Sequence, residues 1–166
     1  LCGVHAVVGK RGGNKMLQVD HPADMKAYAG KPVGTSDWVV VDQAMIDAFA
    51  EATGDHQWIH VDAERARREM PGGKTIAHGY LTLSLLPRLG ANVYEIREVS
   101  RGINYGSNKV RFTAPVPAGS RVRLHQVLKS VENIAGGVRL TFDSTIEVEG
   151  SDKPALVAET LSLAFD

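Results

Sequence analysis

Asp55 and His60 lie in Ala52-Thr-Gly-Asp-His-Gln-Trp-Ile-His60, the densest polar cluster of an otherwise apolar region. His78-Gly79 follows in Ile76-Ala-His-Gly79. Three chemistries fit these residue types. His56 and His60 have the i, i+4 spacing that can present two imidazoles to a metal from one face of a helix. The metalloprotease form of that pattern carries Glu where this chain has Gln57, and Gly54 reads as loop, so no metal is expected. A purely structural role would let Asp55 cap a turn and make His60 a hydrogen-bonded core residue beside Trp58 and Ile59. In the third, Asp55 and His60 form an acid–base pair that holds and polarises one water between carboxylate and imidazole. His78-Gly79 adds to that reading. It opens an apolar helix, whose free N–H groups and dipole favour developing negative charge. Gly79 has no side chain to keep a carbonyl oxygen from its N–H, which suits an oxyanion hole.

The elements that must position these residues can be read from periodicity. Gly30-Lys-Pro-Val-Gly34 reads as a turn, and Trp38-Val-Val-Val41 as a strand. Asp42 is an N-cap, and Met45, Ile46, Phe49 and Ala50 form an apolar stripe at helical spacing, with Gly54 as the C-cap. The helix therefore spans residues 43 to 53, and Asp55 begins the loop that leaves it. Asp62 caps a second helix, with Glu64 early and Arg65, Arg67 and Arg68 later, until Met70-Pro-Gly-Gly73 stops it. Ala77 to Gly90 is apolar nearly all round, which predicts one long buried helix that Pro87 kinks or ends.

From Gly102 the period changes to two. Strands are expected near Ile103–Phe112 with a bulge at Gly106, around Arg121–Lys129, over Val138–Val148 and over Leu156–Phe165. Successive strands pair as antiparallel neighbours. The fold class is thus α+β, one curled antiparallel sheet wrapped around one long apolar helix.

Composition narrows the function classes. The 166 residues suit a single domain, 43% of them hydrophobic and 23% charged. Nineteen basic and 19 acidic residues cancel, so a large nucleic-acid interface is not expected. No apolar run reaches the roughly 18 to 20 residues of a membrane helix. The single cysteine, Cys2, cannot close a disulfide within the chain, and the expected location is the cytoplasm. Residues 1–15, rich in glycine and basic residues, read as a leader or extension, with the domain over residues 16–166.

The polar cluster resembles the hydratase-2 motif of MaoC-like (R)-specific enoyl-CoA hydratases. Their pattern is an aromatic residue, Gly-Asp-x-Asn-Pro-hydrophobe-His, then a hydrophobic helix that opens with His-Gly. Phe49, Gly54, Asp55, Ile59, His60, His78 and Gly79 match it in order and spacing, and Gln57-Trp58 depart from it. The likeness continues through Asn104-Tyr-Gly-Ser-Asn-Lys-Val-Arg-Phe112 and Pro115-Val-Pro-Ala-Gly-Ser120. The resemblance implies a single hotdog fold, and hydration of a trans-2-enoyl-CoA thioester to the (R)-3-hydroxyacyl product. It implies Asp55 and His60 as the catalytic pair, without saying which is the base, and Gly79 N–H on the thioester oxygen. It implies no cofactor beyond the CoA of the substrate, and a homodimer or larger homo-oligomer.

His78 is expected to orient the loop or meet substrate. Asn104 and Tyr105 could line the acyl groove or serve packing. Arg111, Arg121 and Arg123 could meet CoA phosphates, although alternating arginines on a strand more often form a solvated face. The rival functions are a hotdog acyl-CoA thioesterase and a non-catalytic acyl-thioester binding domain.

Overall fold

The computed structural model describes residues 10–11 and 14–166. The expected leader lies outside the described residues, apart from a short pairing of β1 (Lys10–Arg11) with β2 (Asn14–Lys15). β3 (Leu17–Val19) is followed by a 3-10 turn, Pro22–Tyr28. Next come β4 (Lys31–Thr35), β5 (Val39–Val41), α1 (Gln43–Thr53), α2 (Trp58–Val61) and α3 (Ala63–Glu69). The central helical segment is α4 (Gly79–Ser84) and α5 (Leu86–Gly90). β6 (Tyr94–Ile96) then pairs in parallel with β3. The chain ends in β7 (Arg101–Phe112), β8 (Ser120–Ile134), β9 (Gly137–Val148) and β10 (Leu156–Phe165).

The main sheet runs in the order β4-β8-β9-β10-β7, with β5 also on β8, and every pairing is antiparallel. Alternation sets its two faces. Val122, Leu124 and Leu128 of β8 and Val138, Leu140, Phe142 and Ile146 of β9 point inward and are buried. Leu81, Leu85 and Leu89, at i, i+4 and i+8, are buried in the same cluster. Each such leucine contributes roughly 1.5 to 3 kcal/mol of transfer free energy. The curled sheet around helical segments agrees with the expected fold class.

Two expectations change. The predicted long helix is split at Leu85, and Pro87 lies in the first turn of α5, where its missing N–H costs least. Nor is the helix buried all round, since Tyr80 is 69% exposed and Ser84, Pro87 and Arg88 also face outward. The turn expected over residues 30–34 is only a turn at Gly30, and Lys31–Thr35 is an edge strand. Pro32 is tolerated there because an edge strand need not donate from every residue.

The caps hold. The Asp42 carboxylate accepts from Met45 N–H, Gly54 closes α1 in the left-handed region at φ 75°, and Asp62 accepts from Arg65 N–H. Among the described residues no helix is long and apolar enough to cross a membrane.

Candidate active site

Gly54 ends α1 and turns the chain so that Asp55 is exposed in the loop ahead of α2. The Asp55 carboxylate accepts from Gln57 N–H at 3.4 Å. His60, expected in a loop, lies instead on the single turn of α2 and is buried. Its Nδ1 is 2.7 Å from the Ile76 carbonyl. A carbonyl only accepts, so the ring hydrogen is on Nδ1 and the Nε2 lone pair is left free.

His78 directly precedes α4 and is buried. Its Nε2 donates to the Asp55 backbone carbonyl at 2.9 Å, while its Nδ1 is buried without a hydrogen-bond partner among the described residues. The His60 and His78 rings stack at 3.8 Å, and Phe49 packs on His78 at 5.1 Å. One ligand-type atom each from Asp55, His60 and His78 falls within 4.8 Å of the others. Asp55 and His60 are thus joined by a third residue from another element. His56 stands apart from them, exposed, with its Nδ1 3.7 Å from Glu51.

Gln43, which sequence reading missed, ties this site to α1. Its Nε2 donates to the His60 carbonyl at 2.8 Å, and its Oε1 accepts from Thr75 Oγ1. No local signal marks Gln43, because its partners come from segments 17 and 32 residues away.

Gly79 occupies the first turn of α4, where its N–H has no intrahelical acceptor. The structure gives the glycine an additional reason. A Cβ there would lie 2.7 Å from the Phe112 ring, so a side chain at this position would force that ring to shift. Asn104 lines a cavity of about 600 Å³ between the helical segments and the sheet, whereas its neighbour Tyr105 is 60% exposed. Tyr94 also lines this cavity, and burial pushes its phenol up to about 12.

Two of the three arginines have carboxylate partners on the sheet. Arg121 pairs with Glu149, and Arg123 with Glu147, which also meets His125 at 2.6 Å. Hydrogen bonding from Arg123 is the main reason that the Glu147 carboxyl is held below its ordinary value. Arg111 Nη1 donates to the adjacent Val110 carbonyl.

Residues 24–149 match the MaoC like domain family. The chain belongs to that family. A relative, 3-hydroxyacyl-thioester dehydratase Z of Mycobacterium tuberculosis, is 57% identical over 147 residues, covering 88% of this chain and 97% of the relative. Nodulation protein N of Rhizobium leguminosarum is 46% identical over 143 residues, 85% of this chain and 89% of that protein. Among solved structures, an R-hydratase of Pseudomonas aeruginosa superposes with a TM-score of 0.67 at 21% identity, over 83% of this chain and 82% of that one. The (R)-hydratase of A. caviae gives 0.65 at 21% identity, over 81% of this chain and 94% of that one. At that identity the likeness concerns fold, and it is the hotdog arrangement of the MaoC-like proteins.

Proposed function

We propose that this chain is an (R)-specific 2-enoyl-thioester hydratase that also runs the reverse dehydration of 3-hydroxyacyl thioesters. The observation that carries this reading is the free Nε2 of His60, held beside the Asp55 loop by the Ile76 carbonyl and by His78. The dehydratase name of the 57% identical relative supports it.

Asp55 and His60 form the catalytic pair. Water gives one O–H to the Asp55 carboxylate, which can only accept, and the other to His60 Nε2. As the water oxygen bonds to C3 of the enoyl group, its proton passes to His60 and electron density moves through C2 onto the thioester oxygen. Gly79 N–H donates to that oxygen while it carries charge. His60 then delivers the proton to C2, so the double bond has gained H and OH and the site returns to its first state. No cofactor takes part, CoA being a portion of the substrate.

A homodimer completes this reading. β7 is an edge strand, and Ile103, Tyr105 and Phe112 on it are 43%, 60% and 45% exposed. An apolar edge of this kind calls for a partner strand. A cytoplasmic location is part of the same proposal.

The test is ultraviolet loss of the conjugated enoyl-thioester band when the protein meets crotonyl-CoA, with product chirality read in parallel. Thiol release without hydration would make it a thioesterase instead. No reaction, with binding retained, would make it an acyl-thioester binding domain.

A further inference from the structure

His60 stands on α2, a helix of four residues and a single turn. A turn that short does not hold itself, because its nucleus fixes several dihedrals for one hydrogen bond. The second half of α2 is tied down from outside. Ile76 N–H donates to the Ile59 carbonyl at 3.0 Å, His60 Nδ1 donates to the Ile76 carbonyl, and Gln43 holds the His60 carbonyl. The start of α2 lacks such ties. Gln57, at the N-cap, makes no side-chain cap bond, and residues 51–57 are all exposed.

Trp58 supplies the missing tie. The Arg65 guanidinium of α3 lies 4.0 Å from the centre of the Trp58 ring, within cation–π range. Arg65 is itself fixed at both ends. Its N–H is accepted by the Asp62 carboxylate at 2.9 Å, and its Nε donates to Glu69 at 2.9 Å. The stack thus holds the chain at the residue after Gln57, whose N–H is the one that donates to the Asp55 carboxylate. Asp55, three residues before Trp58, and His60, two after it, flank one anchored ring.

Gln57 and Trp58 are also the two positions where this loop departs from the hydratase-2 pattern. The backbone there would accept proline. Gln57 has φ −56° and ψ 134°, the extended region that a following proline requires. Trp58 opens α2, where its N–H has no intrahelical acceptor and where proline fits best.

We propose that Trp58 and Arg65 are positioning residues for the Asp55–His60 pair, their stack holding the entry to α2 in the conformation that a proline at position 58 would hold through its own ring. The catalytic use of that pair rests on the hydratase reading above, whereas the clamp itself does not. Neither side chain touches substrate. Without the stack the start of α2 frays, and carboxylate and imidazole lose their fixed separation. A step in which both must meet one water then suffers more than substrate binding does.

The test measures kcat and KM separately on crotonyl-CoA. Trp58→Ala and Arg65→Gln should each lower kcat by roughly 10-fold or more, since small misplacements of reacting groups cost rate steeply. KM should stay within about 2-fold, the mark of an interaction that serves only the reacting step. The double variant should be little worse than the poorer single one, because both changes remove one stack. Trp58→Pro should keep kcat within about 3-fold of the parent, because proline is pre-organised for the first helical position. Arg65→Gln leaves the Trp58 ring in place and so reads the stack even if Trp58→Ala does not fold. An Arg65→Gln variant with the parental kcat overturns the proposal. So does a Trp58→Pro variant no better than Trp58→Ala, which would make the ring a substrate contact. Parental turnover separates the two ideas. A parent that hydrates, with variants that match it, removes the clamp alone. A parent that does not hydrate removes the hydratase, and amide exchange then reads the clamp. The His60 and Asp62 amides, which bond to Gln57 and Trp58 carbonyls, should exchange faster in Arg65→Gln, and equal exchange overturns the clamp.

Discussion

The imidazoles of His60 and His78 stack with centroids 3.8 Å apart at an interplanar angle of 24°, although the residues belong to different helical elements. His78 also anchors the Asp55 carbonyl, so one ring fixes both partners of the proposed pair. His78→Phe keeps an aromatic ring against His60 and Phe49 but removes the Nε2 donor. Hydration should fall by roughly 10-fold or more, because misplacing a reacting group costs rate steeply. Stability should change by no more than about 1 to 2 kcal/mol, since the unpaired Nδ1 is removed as well. A variant with unchanged kcat on crotonyl-CoA would show that His78 only packs.

Asp55→Asn and His60→Gln should each lower hydration by roughly 10²- to 10⁴-fold. Because the two share one water, the double variant should be little worse than the poorer single one. Folded variants that hydrate crotonyl-CoA at the parent rate would make the loop structural.

Activity should survive exhaustive chelation. His60 Nδ1 and His78 Nε2 are committed to carbonyls, which leaves one nitrogen on each of two stacked rings for any ion. Loss of activity with EDTA and its recovery with zinc would make Asp55, His60 and His78 metal ligands.

Sedimentation at micromolar concentration should give a dimer or larger species, not one of 17.9 kDa. Ile103→Glu and Tyr105→Lys, on the exposed edge strand, should shift the protein towards monomer. A monomeric parent that is fully active would refute the need for a partner strand.

Glu147 supplies a pH test away from the site. Its carboxyl is held below the ordinary value by Arg123 and His125. A lowered folded-state value means that the unfolded chain binds the proton first, so stability is lost as pH falls through the folded-state value. Glu147→Gln should therefore lower Tm near neutral pH, and the gap to the parent should close in acid. A gap that stays constant down to acid pH would exclude the carboxylate charge as its cause.

Local signals carried much of the architecture. Asp42 and Gly54 bound α1 at both ends because a cap is a contact between near neighbours. Strands β8 to β10 were legible because burial on one face imposes a period of two on the residues themselves. β4 was misread as a turn because Pro32 and Gly34 have turn chemistry. Only pairing with β8 makes that segment a strand, with a bulge between those two residues.

For the candidate site, Asp55, His60, His78 and Gly79 were visible as residue types at a known spacing, and the sequence alone identified them. Their relationship was decided by tertiary structure. His78 reaches Asp55 across 23 residues, Gln43 reaches Thr75 across 32, and Phe112 fills the space that a side chain at Gly79 would need. The same holds for the hydrogen bonds that join polar side chains of β8, β9 and β10. Gln126, Ser144 and Thr160 are unremarkable one by one and become a continuous line only when three strands are laid in register. Caps and alternation are properties of a short stretch of chain, whereas the direction of a hydrogen bond between distant segments exists only once the sheet has closed around the helix.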